Sequence, residues 1–318
     1  MSAWKWQQVF AGAKRLHIAP LLYDGVQACK DQFFMQLTDE LNNEWAQHTL
    51  QAEKRQGTAA SEVAELLFQL GQLQLRPILM EPWTAASFYD CPSHHCTTLV
   101  SIYYPYSTQG QKADDWARNN GQQIETPQSH LLHYEWKSLR VEHRHRMLSL
   151  NNKLNDITLQ NILSKEWLDG GTSHVTIQGQ RIETIGPTLH LLINLLSIIK
   201  TTLNEGLTLW QIVDLGILLR RQGDRVDFVK LQNWIERLHF TRMAQLIGMV
   251  LTGLLGFSID EVPFMQSAPT ESDVNSFAND LLQASEHNGA PKYLRYCPGE
   301  SLSSVVASIT HSLGNVEE

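Results

Sequence analysis

Surplus positive charge is missing from this chain: 25 lysines and arginines face 33 aspartates and glutamates, a formal net charge of -8 over 318 residues. Affinity for phosphate backbones needs a concentrated basic surface, so this balance argues against a dedicated nucleic-acid binder. Long apolar runs are missing too. The longest, Leu189 to Ile199, is broken by His190, Asn194 and Ser197, too short and too polar to span a bilayer. The N-terminal MSAWKWQQVFAGAKRLH has neither a long apolar core nor a cleavage-like ending, so the expected location is the cytoplasm and no membrane partner is expected. Cysteine is scarce. Cys29, Cys91, Cys96 and Cys297 are irregularly spaced, and free thiols are expected in a chain long enough not to need stapling. No G-x-S-x-G elbow, P-loop or G-x-G-x-x-G occurs, which leaves those enzyme classes without support.

What is present is enough apolar material, 42% of residues, for one large or two ordinary domains with real cores. The first ~60 residues read as helical. Trp4, Trp6, Phe10 and Ala13 start an apolar face, Pro20 opens a longer helix through Phe33, Leu37, Leu41 and Trp45, and Ser61 is placed to cap the next segment. After Gly71 the texture changes. Leu75 to Met80, Thr97 to Tyr104, Leu131 to Trp136 and Leu139 to Arg146 read as strands, with short helices at Pro82 to Tyr89 and Ala113 to Asn120. Val175 to Ile177 and Arg181 to Thr184 flank Gly179-Gln180 as a small hairpin.

Leu189, Leu192, Ile193, Leu195, Leu196, Ile199 and Leu203 then recur at helical spacing behind Pro187, which suits a first turn. Further helices follow at Leu207 to Arg221, behind Asp227 through Leu238, and behind Thr241 through Leu255. The last ~50 residues, broken by Pro263, Ser267, Pro269 and Pro291, are expected to hold two more. The fold class is therefore α+β: an N-terminal helical segment over residues 1–70, a small mixed-sheet domain over 71–185 and a C-terminal helical domain over 186–318.

On several of these segments the chain resembles the bacterial uncharacterised nucleotidyltransferase-like family, related to the polymerase-beta-type nucleotidyltransferase fold. The segments are IAPLLYDGV (Ile18 to Val26), ILMEPW (Ile78 to Trp83) and, most specifically, Leu189-His190-Leu191, Lys200, Glu205-Gly206 and Asp214. The resemblance implies metal-dependent attack on the α-phosphate of a nucleoside triphosphate. Carboxylates at i and i+2 of one strand and a third acid on a neighbouring strand would hold Mg²⁺. At the implied positions this sequence differs. Met80-Glu81 stands where the family has Lys-Gly, Leu99 and Ser101 stand for the Asp-x-Asp pair, and His94 or His95 stands for an upstream arginine. Only Glu142, in VEHRH, matches the third acid, and no Asp or Glu lies between Cys91 and Gly110. The expectation is a retained fold whose cleft binds a ligand or a partner protein without a cofactor. The alternative is an active transferase using Mg²⁺ and a nucleoside triphosphate around Glu142.

Other constellations are weighed beside this one. Cys91, His94, His95 and Cys96, in CPSHHC, offer thiolate and imidazole ligands for zinc, though not at a standard paired-ligand spacing. In RVEHRHR, Arg140, Glu142, Arg144 and Arg146 should share one strand face, with His143 and His145 on the other. That face is either an anion site or a carboxylate paired by its flanking arginines. Asp214, inside an apolar helix, needs a partner such as Lys200 or Arg220. It could instead join His190 in lining a cleft. The tryptophans, among them Trp83, Trp136, Trp167 and Trp210, read as core fillers.

Overall fold

The computed structural model describes residues 3–32, 37–204 and 209–265. Phe33, Glu205-Gly206, Leu207, Ser267, Pro269, Pro291 and Cys297 lie outside the described residues, as does the side chain of Leu203. The chain divides into two compact units, Met1–Met147 with His174–Thr184, and Leu148–Ser173 with the residues from Ile185 onward.

The first unit begins with helices α1 (Ala3–Arg15) and α2 (Ala19–Ala28), the latter carrying Pro20 in its first turn. Helix α3 (Asp39–Gln72) follows, capped by Thr38, whose hydroxyl accepts from Leu41 N. The single long helix expected from Pro20 through Trp45 is thus two helices. Ser61 is not a cap: it lies inside α3 and returns its hydroxyl to the Gly57 carbonyl at 3.0 Å, a bond that lets serine sit in a helix interior. At 34 residues, α3 is about 50 Å long at 1.5 Å per residue, and it serves two cores. Leu41 and Trp45 pack with Trp6, Phe10, Ala19 and Val26; Trp45 Nε1 donates to the Ala19 carbonyl at 2.7 Å. Further along, Ala59, Val63, Leu66, Leu67 and Leu70 pack on the sheet, continuing the 3- and 4-residue steps of one helix face.

After α3 come strand β1 (Ile78–Leu79), the short helix α4 (Trp83–Ala86) and strand β2 (Leu99–Tyr103). Helix α5 (Ser107–Asn120) starts six residues before the expected Ala113, because its first turn is polar and carries no apolar spacing. Strands β3 (Gln122–Gln128), β4 (Leu131–Trp136) and β5 (Leu139–Arg144) form a meander, and β6 (Thr172–Ile177) and β7 (Gln180–Ile185) a hairpin. The hairpin turns at Gln178-Gly179, both at positive φ (49° and 76°), one residue earlier than expected. Two positive φ values match the twist of paired strands, and glycine supplies the second without strain.

The sheet order is β3-β4-β5-β2-β1-β7-β6. Strand β2 runs parallel to β5, with Ser101 opposite Glu142, and antiparallel to β1, which runs parallel to β7. Strand β3 is exposed along its whole length. It borders the sheet with Pro127 in it, a residue that central strands do not tolerate. One sheet face carries Val100, Ile102, Leu132, Tyr134, Trp136 and Val141 into a core shared with Ala113 and Ala117 of α5.

The second unit is helical. Helix α6 (Lys153–Leu168) is capped by Asn152, which accepts from the Leu154 and Asn155 amides. Helix α7 (Pro187–Asn204) begins at the expected proline and is buried nearly all round from Leu189 to Ile199, which marks a central helix. Helices α8 (Leu209–Gln222) and α9 (Phe228–Arg237) pack against it, and α10 (Thr241–Leu254) packs against α8 and α9. Asp227 caps α9 as its sequence implies, accepting from Lys230 N at 2.9 Å. Phe240, not Thr241, stands at the cap position of α10.

Candidate functional site

Strand β5 holds two different chemistries, because alternate residues face opposite sides of a sheet. Glu142 belongs to the side away from the apolar core, together with Ser101 on β2 and His133 on β4, which lie directly opposite it. Arg144, two residues on, folds back over this face. Its Nε donates to Ser101 Oγ at 2.8 Å and to Glu142 Oε2 at 2.8 Å, and its Nη2 lies 2.7 Å from the same carboxylate oxygen. His133 Nε2 approaches Glu142 Oε1 at 3.3 Å, out of line for a hydrogen bond. The Glu142 side chain is only 11% exposed, so the guanidinium supplies the countercharge that a carboxylate removed from water requires. Leu99, at the start of β2, is half-buried and offers no polar group.

The other side of β5 presents His143, which is fully buried between the rings of Tyr104 and Tyr134, both edge-on at about 5 Å. Its Nε2 is 2.9 Å from the Tyr134 hydroxyl and its Nδ1 3.1 Å from Asp114 Oδ1 on α5; His145 Nε2 reaches Asp114 Oδ2 at 2.9 Å. A neutral His143 protonated on Nδ1 satisfies every partner, accepting from tyrosine and donating to the carboxylate. Burial holds the His143 imidazole below its ordinary value, against the pull of Asp114. Burial works against the Asp114 charge, but hydrogen bonds from His143 and His145 outweigh it and hold that carboxyl below the usual range. Gly110 on α5 makes room for this cluster: a Cβ there would lie 2.3 Å from His145 Nδ1.

Between β1 and α4 stands Glu81, before a cis peptide to Pro82. Its Oε2 accepts from the Ala85 amide at 2.8 Å, so a carboxylate already occupies the start of α4, where the resemblance would put a triphosphate cradle. A pocket of ≈ 300 Å³ lies against α4, lined by Trp83, Ala86 and Ser87 with Gln56, Ser93 and Gln178. Two of these residues carry buried donors without a hydrogen-bond partner, Trp83 Nε1 and Gln56 Nε2.

The structure thus brings Ser101, Glu142 and Arg144 together and puts Glu81 at the turn after β1. His190 and Asp214, both buried, and the half-buried Lys200 belong to the second unit. Arg220, a proposed partner of Asp214, donates to Glu261 at 3.2 Å and stacks on Phe257 at 4.0 Å. Trp83 and Trp136 are core residues as expected.

The CPSHHC segment does not assemble the four ligands its sequence offers. Among the described residues, the only group of three or more potential ligands whose donor atoms converge is Glu53, Cys91 and His94. His95 and Cys96 stand outside it. His95 is buried edge-on to Tyr89, and the Cys96 sulfur lies 3.8 Å from the His94 carbonyl. Cys29, Cys91 and Cys96 are free thiols. His94 itself bridges two helices, with Nδ1 2.7 Å from Asp24 Oδ2 on α2 and Nε2 2.7 Å from Glu53 Oε1 on α3. Burial opposes its charge, yet the hydrogen bonds to Glu53 and Asp24 prevail and raise its imidazole above the ordinary value. Neither carboxylate was legible as a partner, because they lie 70 and 41 residues away.

A family model described as an uncharacterised nucleotidyltransferase matches residues 2–256. No curated protein and no solved structure matches. No helix among the described residues is long and apolar enough to cross a membrane. With most of its length matched, the chain belongs to the uncharacterised nucleotidyltransferase family.

Proposed function

We propose that this nucleotidyltransferase-like chain no longer catalyses nucleotidyl transfer and that its site instead binds a small ligand or a protein partner, without a cofactor of its own. One observation carries the reading. The guanidinium of Arg144 spans Ser101 and Glu142, the positions that the resemblance gives to one acid of the metal-binding pair and to the third acid. A covalently attached cation therefore stands between groups that would otherwise flank Mg²⁺. The donor set does not fit that ion. Magnesium takes hard oxygen ligands, usually one or two carboxylates with waters and substrate phosphates, whereas Leu99 has no oxygen in its side chain, Ser101 offers only a hydroxyl, and the single carboxylate, Glu142, is held by Arg144. Glu81 supports the same reading, because its negative charge at the start of α4 repels a triphosphate. The pocket beside α4 supports ligand binding. Its lining mixes the apolar Trp83 and Ala86 with the polar Gln56, Ser87, Ser93 and Gln178, the mixture that a small-molecule site requires.

A transfer assay tests this reading. The purified chain, incubated with α-labelled ATP, CTP, GTP or UTP and Mg²⁺ or Mn²⁺, is expected to release no pyrophosphate and to label neither itself nor added acceptors above the Glu142→Ala background. Metal-dependent release that Glu142→Ala abolishes would establish the alternative, an active transferase centred on Glu142.

A further inference from the structure

We propose that Glu53, Cys91 and His94 form a zinc site in the first unit, with Asp24 orienting the histidine. The proposal is independent of the fate of transfer chemistry at β5. Three kinds of observation support it. The ligand types come first: imidazole, thiolate and carboxylate are the usual zinc donors, and three protein ligands with one open position is a common zinc arrangement.

Geometry comes second. The donor atoms of Glu53, Cys91 and His94 all lie within 4.8 Å of one another. Around a tetrahedral zinc, with bonds of about 2.0–2.3 Å, ligand atoms are separated by roughly 3.3–3.8 Å. The three donors therefore stand close to the separations a single ion needs. The His94 Nε2 to Glu53 Oε1 distance, now 2.7 Å, must lengthen. Glu53 is the group able to move, since its side chain is 37% exposed against 6% for His94.

Orientation comes third. A zinc-bound histidine nearly always donates its other ring N–H to a carboxylate, carbonyl or water, which fixes the tautomer and raises the basicity of the ligating nitrogen. Here Asp24 Oδ2 sits 2.7 Å from His94 Nδ1, leaving Nε2 facing Glu53. The Cys91 sulfur lies 3.3 Å from the Ser93 hydroxyl, a contact that can support a thiolate by donating to it.

Binding is a proton-for-metal exchange with no redox step. Zn²⁺ displaces the proton shared between His94 Nε2 and Glu53 and the proton of the Cys91 thiol, and water takes the fourth position. The ion would join α2, α3 and the turn before β2, three pieces that the sequence separates widely.

Cobalt(II) substitution gives the clearest readout, because a thiolate ligand adds a sulfur-to-cobalt charge-transfer band to the tetrahedral ligand-field spectrum. The full chain, stripped with chelator and titrated with CoCl₂ and then ZnCl₂, is expected to bind one equivalent, to show that band, and to melt at a higher temperature with zinc. Cys91→Ser should remove the charge-transfer band and weaken binding at least tenfold. Asp24→Asn should weaken binding less and keep the band, and Cys96→Ser should change neither. The proposal is overturned if neither ion binds stoichiometrically, or if Cys91→Ser retains the charge-transfer band. His94→Ala should abolish binding, and should that variant fail to fold, the cysteine variants still decide the matter.

Discussion

The two sides of strand β5 differ in how completely their charges are closed off. On one side His143, Asp114, His145 and Tyr134 form a hydrogen-bonded network against the apolar core. On the other, Glu142 is neutralised by Arg144, whose side chain is 28% exposed and reaches across to a serine hydroxyl. Neighbouring residues of one strand therefore serve different ends: the first network holds α5 to the sheet, and the second pairs Glu142, the one acid that the resemblance implies for the site, with an arginine. A buried network is costly to break because low polarity strengthens each bond and penalises each orphan. The Glu142–Arg144 pair keeps its guanidinium side chain 28% exposed, so water can compensate part of any change made on the arginine side.

The sharpest way to break this contrast is at its buried end. Asp114→Asn should destabilise the protein by about 3 kcal/mol near neutral pH, measured by urea unfolding, because it leaves two histidines without their charged acceptor. The sign with pH follows from the shifts. The depressed Asp114 carboxyl contributes stability above its ordinary value of 3.8, and that contribution is lost as pH falls through its lower folded value. His143, also depressed, stays neutral in the fold while the unfolded chain takes up a proton below 6.5, so stability falls from that pH down to its folded value. The gap between wild type and Asp114→Asn should hence narrow in acid below 3.8.

Gly110→Ala probes the same network sterically. The added methyl displaces the His145 ring from Asp114, and the expected loss is about 2 kcal/mol, within the usual range for overpacking. Arg144→Met moves to the open side. It leaves Glu142 without its countercharge and should cost about 1–2 kcal/mol, without creating magnesium affinity, since one carboxylate remains. At the end of the same strand pair, Lys137 pairs with Glu65 and lies 4.7 Å from the Trp136 ring centre, with both charged side chains over 40% exposed. Lys137→Ala should cost under about 1 kcal/mol. If Arg144→Met proved costlier than Asp114→Asn, the two faces would have to exchange roles.

How much of this was legible depended on whether the information was local. Strands β2, β4 and β5 could be read because TTLVSIYY, LLHYEW and LRVEHR carry β-branched and aromatic residues in a pleated pattern. The cap at Asp227 and the helix start at Pro187 were equally local. Helix α6 was not foreseen. It buries Leu159, Ile162 and Leu163 but leaves Leu154, Ile157 and Leu168 exposed, so no apolar stripe marks it. Strand β3, QQIETPQ, is polar and fully exposed, and pairing with β4, not propensity, makes it a strand. The opposite faces of VEHRH follow from alternation alone. That Arg144 would bridge to Ser101, 43 residues earlier, depends on the parallel register of β2 and β5, which no local pattern encodes. The same holds for Asp24, Glu53 and His94.

The most direct measurement is calorimetric titration of the metal-stripped chain with each nucleoside triphosphate, in Mg²⁺ and in chelator, beside Glu142→Ala. If Arg144 takes the place of the metal, as proposed, no nucleotide should gain affinity from magnesium, and Glu142→Ala should leave any binding unchanged. Magnesium-dependent affinity for one nucleotide that disappears in Glu142→Ala would contradict the account.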